Sequence, residues 1–390
     1  MIKKILNKEI QDYINANLKT DLHSLLLKKS PFLKVSMVEI VNQIKGKNVA
    51  AKKFPFLLEE DIIFPPNLNL EQSSSEQTSK YKSQLFSGEK FLDLTAGFGI
   101  DAYFLSENFK EITLVEKNTE LLEIVKHNWK ILNKEANFIN HDLEHFLEIF
   151  RQAQHDDVNQ FDLIYLDPAR RDSQKKKVFL LEDLSPNILE IQDELLNISG
   201  KVLIKLSPLI DLSYLISVLK NATKIYIIAV KNDVKEVLIL LDKNKTEEKV
   251  KCICTNLESE DADFEFYFHD EKSASSEFSD ALQFLYIPNN AVLKSGAFNL
   301  ISKQFTLKKL HPNTHFYTSE KKVLNFPGRV LKVEKVEAKE IEKGSFNNII
   351  SKNYPLKPDE IKKKYKIQDG GENYLIFTQT LTSKIILRSF

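Results

Sequence analysis

The run Phe91-Leu92-Asp93-Leu94-Thr95-Ala96-Gly97-Phe98-Gly99-Ile100-Asp101 decides how this chain folds. An apolar strand runs into an acidic residue, and a G-x-G turn then opens a helix. Only 10 glycines occur in 390 residues, and two of them stand here, two positions apart. Glycine takes φ > 0 and lets a ligand approach the main chain without a Cβ in the way. On that reading Gly99→Val removes ligand binding and leaves the fold largely intact. A strand, a glycine turn and a helix N-terminus together make a nucleotide pocket, since backbone N–H groups and the helix dipole face the ligand.

The G-x-G alone is weak, and Gly97, Gly99 and Ala102 even satisfy the looser dinucleotide pattern G-x-G-x-x-G/A. The neighbouring residues discriminate. Asp93, four residues before Gly97, would repel a pyrophosphate but suits a cationic group such as the amino group of a methionine moiety. The next strand, Ile112-Thr113-Leu114-Val115, ends in Glu116, an acid placed to take both hydroxyls of a ribose. A third short strand, Ala136 to Asn140, precedes Asp142. That carboxylate is able to accept from an adenine amino group, and is equally suited to cap the helix beginning Leu143-Glu144-His145-Phe146. A fourth strand, 161–166, ends in Asp167-Pro168-Ala169-Arg170.

This series resembles the class I S-adenosylmethionine (SAM)-dependent methyltransferases over residues 85–255, with four pattern elements in the family's order. The resemblance implies that Asp93, Gly97 and Gly99 hold the methionine end, Glu116 the ribose and Asp142 the adenine. Thr95 and Asp101 of the same segment join them as cofactor-binding candidates. It also places the chemistry at Asp167, Pro168 and Arg170. Enzymes that methylate exocyclic amines carry (D/N/S)-P-P-aromatic here, whereas this chain has Ala169 for the second proline and Arg170 for the aromatic. An arginine plane can also stack on a base. Arginine is rare, with five among 55 basic residues, so Arg170-Arg171 suggests planar bidentate recognition, or a clamp to Asp172 or Glu182. Uridine-C5 enzymes need a cysteine after the fifth strand. That segment reads Val202-Leu203-Ile204-Lys205-Leu206-Ser207-Pro208, and Cys252 and Cys254 fall in the seventh, so direct transfer to nitrogen or oxygen is expected.

Composition fits a soluble cytoplasmic protein of two or three domains, at 42% hydrophobic and 28% charged residues. No run approaches the 18 or so apolar residues of a membrane span, the start lacks a signal peptide's core, and two thiols make neither a disulfide framework nor a zinc site. Net charge is zero but unevenly spread. Residues 301–390 hold 18 Lys and Arg against 9 Asp and Glu, a net of +9 that leaves −9 for residues 1–300. A basic C-terminal piece suggests contact with a polyanion such as RNA, although Lys362-Lys363-Lys364 also reads as a solvated helix face.

Helical spacing predicts an N-terminal helical region and linker over 1–80, and the serine-rich stretch 72–78 a short helix over the cofactor, capped by Ser73 with Glu76. Strands near 91–96, 111–116, 136–140, 161–166, 201–206, 223–230 and 249–255 alternate with helices. The expected fold is therefore α/β, Rossmann-like, with a mostly parallel seven-stranded sheet over 81–258. An acidic, serine-containing run marks a boundary, and two small α+β pieces follow, 278–328 with a helix over 289–302, and 329–390. Together with Asn69 to Thr78, Asp167 to Arg171, Lys294-Ser295-Gly296-Ala297-Phe298 and Asp369-Gly370-Gly371-Glu372-Asn373-Tyr374, this is similar to a bacterial methyltransferase subfamily with ferredoxin-like and THUMP-like domains. THUMP domains go with RNA-modifying enzymes, so the resemblance implies an RNA substrate. Two other readings stay open: a methyltransferase for a small molecule or protein, and a binding module that keeps the fold without the activity.

Overall fold

The computed structural model describes residues 2–152, 161–170, 180–246 and 248–390, with Arg170 described for its main chain only. Two compact units emerge, residues 1–222 with 239–246, and residues 223–238 with 247–390.

The first unit opens with helices α1 (Ile2–Ile5), α2 (Lys8–Ala16), α3 (Leu22–Leu26), α4 (Met37–Lys53), α5 (Asn67–Gln72) and α6 (Glu76–Ser83). Ser36 and Glu39 form a capping box on α4, which buries Ile40 and Ile44. The linker is tied to α4 by Gln43, whose side chain donates to Phe64 O at 2.8 Å and accepts from Phe64 N–H at 2.9 Å. The cap expected on Ser73 falls on Ser75 instead, which caps α6 through the Thr78 N–H at 3.3 Å. Ser73 is spent on the helix before, closing α5 by donating to Asn69 O at 2.7 Å.

Alternation then begins with β1 (Lys90–Asp93), α7 (Ile100–Leu105), β2 (Glu111–Val115), α8 (Thr119–Ile131), β3 (Asn137–Ile139), α9 (Leu143–Gln152) and β4 (Leu163–Leu166). A two-residue pair follows, β5 (Ala169–Arg170) with β6 (Leu184–Ser185), then α10 (Ile188–Ile198), β7 (Lys201–Leu206) and α11 (Leu212–Val218). Parallel pairing runs β7-β4-β1-β2-β3. Leu92, Ile164, Val202, Leu203 and Ile204 are fully buried, as strands covered on both faces require. The strand order places the carboxyl ends of β1 and β4 side by side with that of β2, where α/β sheets bind ligands.

The second unit holds β8 (Ala222–Val230), which runs parallel to β10 (Lys251–Leu257), with β11 (Phe264–Tyr267) antiparallel to β10. In sequence, β9 (Asp233–Asp242) lies between β8 and β10 and crosses the division between units. Neither β9 nor β11 is in the expected set of seven strands, so nine strands, besides the β5–β6 pair, stand among the described residues up to 267. The connection into β9 is a two-residue turn with positive φ at both Lys231 (50°) and Asn232 (66°), the twist that joins hairpin strands tightly.

The remaining elements are β12 (Phe284–Pro288), α12 (Asn290–Ser295), α13 (Leu300–Gln304), β13 (Lys308–Lys309), β14 (Tyr317–Ser319), β15 (Gly328–Val336), β16 (Asn348–Ser351), α14 (Pro358–Tyr365), β17 (Tyr374–Gln379) and β18 (Lys384–Ser389). The single helix expected over 289–302 is two, because Gly296 turns left-handed at φ 77° and ends α12. These strands form one seven-stranded sheet, β13-β14-β12-β15-β18-β17-β16. The expected boundary at 328/329 coincides with the start of β15, which pairs with β12 through its first half and with β18 through its second.

Candidate active site

A cavity of about 340 Å³ opens where β1, β2 and β4 end. Its lining includes Asp93, Thr95, Gly97, Gly99, Asp101, Glu116, Asp142, Asp167 and Ala169, so one space gathers residues from four strand ends. Gln72, Ser73 and Ser74 close it from the N-terminal segment. Pro168 is buried and does not line it. The Arg170 side chain, Arg171 and Asp172, and with them the expected arginine clamp, lie outside the described residues; Glu182 accepts from the Tyr214 hydroxyl.

Asp93 is buried and accepts from Thr95 N–H at 2.8 Å. Burial pushes its pKa well above the ordinary aspartate value, against that hydrogen bond, and the nearby carboxylates of Asp101, Asp167 and Glu116 push it further. A buried acid in that state is stabilised as an anion by any cation that enters. Gly97 and Gly99 stand at φ 55° and 74°, the left-handed region that glycine occupies at least cost. Their surroundings differ. A Cβ on Gly97 would meet only Thr95 O, at 3.7 Å, whereas one on Gly99 would meet Val125 Cγ1 at 2.9 Å and Trp129 Nε1 at 3.1 Å. Gly99 therefore lets the turn pack on α8. The expectation that a side chain there would displace only a ligand is corrected: it would collide with the protein first.

Glu116 accepts from Gly97 N–H at 2.9 Å and from Asn118 N–H at 2.8 Å, which ties the second strand end to the glycine turn. Asp142 caps α9 through His145 N–H at 2.7 Å and lines the cavity as well. Thr95 Oγ1 accepts from Asp167 N–H at 2.6 Å, locking β1 to β4 at the bottom of the cavity.

Both carboxylate oxygens of Asp101 are engaged by the protein's own groups. Its Oδ1 accepts from Ser79 Oγ (2.7 Å) and pairs with Lys82 Nζ (2.7 Å), while its Oδ2 accepts from Ser74 Oγ (2.7 Å), Tyr165 OH (2.6 Å) and, longer, Lys205 Nζ (3.4 Å). Burial opposes its charge, yet Lys82 and Lys205 hold its pKa far below the ordinary value. It is a hub for two buried lysines at the cavity wall. Lys205 reaches on to Asp167 Oδ2 at 2.5 Å. Enclosure in the cavity raises the pKa of Asp167, with Lys205 pulling the other way. Lys82, Lys205, Ser74, Ser79 and Tyr165 are absent from the sequence-derived site. The one visible signal was a lysine inside the apolar run of β7.

No cluster of three or more His, Cys, Asp or Glu able to hold a metal ion is found among the described residues. Cys252 and Cys254 are buried in β10, where burial pushes both thiols up, Cys254 to about 12, so neither is poised as a nucleophile.

Comparison with known proteins adds the family. A crystal structure of a candidate methyltransferase from Porphyromonas gingivalis W83 superposes with a TM-score of 0.85 at 30% identity, covering 99% of this chain and 97% of that one. The chain belongs to this methyltransferase family. Family models match residues 76–192 (conserved hypothetical protein 95), 284–327 (ferredoxin-like domain) and 328–388 (THUMP domain-like). Partial likenesses include M. capricolum TrmK in complex with S-adenosyl-homocysteine (TM-score 0.32, 16% identity, 43% of this chain and 68% of that one). Another is the T. thermophilus 16S rRNA N2 G1207 methyltransferase RsmC in complex with AdoMet and guanosine (0.32, 15%, 45% and 43%). No curated protein sequence matches. The methyltransferase fold places the cavity at its carboxyl strand ends, and no helix among the described residues is long and apolar enough to cross a membrane.

Proposed function

We propose that this methyltransferase uses SAM and transfers its methyl group directly to a nitrogen or oxygen of RNA. The observation that carries the reading is the convergence of Asp93, Glu116, Asp142 and Asp167 on one cavity at the strand ends. The residues fit the cofactor: a buried acid with a raised pKa for the methionine ammonium, a strand-end glutamate for the ribose hydroxyls and Asp142 for the adenine amine. When bound, the cofactor supplies an electrophilic methyl on a sulfonium. The chain's own contribution is placement. Thr95 fixes Asp167 at the end of β4, Lys205 orients its carboxylate, and Gln72 to Ser74 supply part of the cavity wall. Holding two reactants in line supplies much of the rate advantage of such a transfer.

RNA is favoured by the net +9 of residues 301–390 and by the THUMP-like match within them. The test is transfer of label from methyl-tritiated SAM to total RNA of a strain lacking the gene, followed by nucleoside mass spectrometry. Label in protein or small molecules but not in RNA would refute the substrate class while keeping the enzyme class.

A further inference from the structure

The acceptor end of the cavity has an unusual composition. Asp167 faces Lys205 of β7 at 2.5 Å, and Lys205 is itself held by Ser74 Oγ at 3.0 Å and by Asp101 of α7. Lys82 of α6 braces the same Asp101 and also reaches Ser74 Oγ at 3.0 Å. The Asp167 side chain nevertheless remains 36% exposed and lines the cavity. Among the described residues no exposed aromatic ring lines the cavity, His141 there being half-buried. Phe98 and Tyr165 among the lining rings are buried, the Tyr165 hydroxyl is committed to Asp101, and the sequence carries no aromatic residue at position 169 or 170.

Nitrogen and oxygen acceptors make different demands. A neutral exocyclic amine attacks through its lone pair and needs only acceptors for its N–H groups, which an amide or a main-chain carbonyl provides. A hydroxyl is a weak nucleophile until its proton is withdrawn as the new bond forms, which calls for a base at hand. A partly exposed carboxylate anchored by the buried Lys205 ammonium, itself braced through Asp101 and Ser74, meets the second demand, since the cation also favours negative charge developing on oxygen.

We infer that the acceptor is a ribose hydroxyl of RNA, with Asp167 receiving its proton and Lys205 acting as a positioning residue for Asp167. This rests on the RNA methyltransferase reading above. The hydroxyl oxygen forms a bond to the sulfonium methyl carbon, the carbon–sulfur bond breaks with its electron pair going to sulfur, and the hydroxyl proton passes to the Asp167 carboxylate, then to water. The raised pKa of Asp167 suits it to accept a proton.

The test uses the full chain with methyl-tritiated SAM and total RNA from a strain lacking the gene. Label in alkali-resistant dinucleotides is expected, because a 2′-O-methyl group blocks alkaline cleavage. Label in base-methylated nucleosides would overturn the hydroxyl assignment and leave the RNA reading standing, while no label in RNA would overturn both. Asp167→Asn should lower kcat by about 10²-fold or more. An amine acceptor would tolerate that amide, so a loss of only a few-fold refutes the proton transfer. Lys205→Met should raise the Asp167 pKa of the cofactor-free protein in an NMR titration, and Lys205→Arg should restore it. An unchanged titration would remove Lys205 from its role. Calorimetric SAM affinity within a few-fold of wild type confirms that each variant keeps its site, and Lys205→Arg covers the case in which the Met variant fails to fold.

Discussion

If Asp93 takes the methionine ammonium as proposed, it couples cofactor capture to proton release. Its carboxyl is held well above the ordinary aspartate value by burial, and a cationic ligand favours the ionised form. Binding then expels a proton, so affinity should rise with pH through the interval between the ordinary value and the raised one, and level off above it. Calorimetry in two buffers of different ionisation enthalpy checks this, as the apparent binding enthalpy must differ between them. Gly99 gives a second prediction. A valine there combines a left-handed backbone with a collision against Val125, so the variant should lose about 2–5 kcal/mol in urea denaturation. The candidate ligands at strand ends were legible because each acid closes an apolar run. Lys82 and Lys205 were not, because their meaning lies in an ion pair between segments far apart in sequence. The part Asp101 plays in that ion pair was hidden for the same reason.

Among the elements, seven strands announce themselves through short apolar runs separated by helical spacing. Strand β9 escapes because Val237-Leu238-Ile239-Leu240-Leu241 is buried throughout and shows no alternation, leaving its Lys231-Asn232 turn as the only local mark. The break between α12 and α13 follows from Gly296, whose missing Cβ would meet nothing within 4 Å. Its need is purely conformational. Gly296→Ala should therefore destabilise the protein by about 1 kcal/mol, read as a lower urea midpoint with an unchanged slope.

Across the molecule, charge and chemistry separate in sequence. The cavity draws on residues 69–186, while the excess of lysine lies beyond residue 300. Exposed Lys332 and Lys335 on β15 carry part of it, Lys332 lying 4.8 Å over the Phe390 ring. If RNA is held there through phosphates, its affinity should fall steeply with salt. Lys332→Ser with Lys335→Ser should flatten the log–log slope by about 1 for each phosphate no longer neutralised, while SAM affinity stays constant. An unaltered slope would place the RNA elsewhere on the surface. Composition revealed this asymmetry at once, but only the folded chain shows which lysines stand on one strand.

The strand β15 has one last consequence. Because it hydrogen-bonds to β12 through residues 328–332 and to β18 through 333–336, the ferredoxin-like and THUMP-like segments share a beam rather than a hinge. A protease has no slack joint to cut between them, and neither segment can be shuffled away in evolution without exposing an open sheet edge on the other. They should be inherited together, resist limited digestion together and melt together.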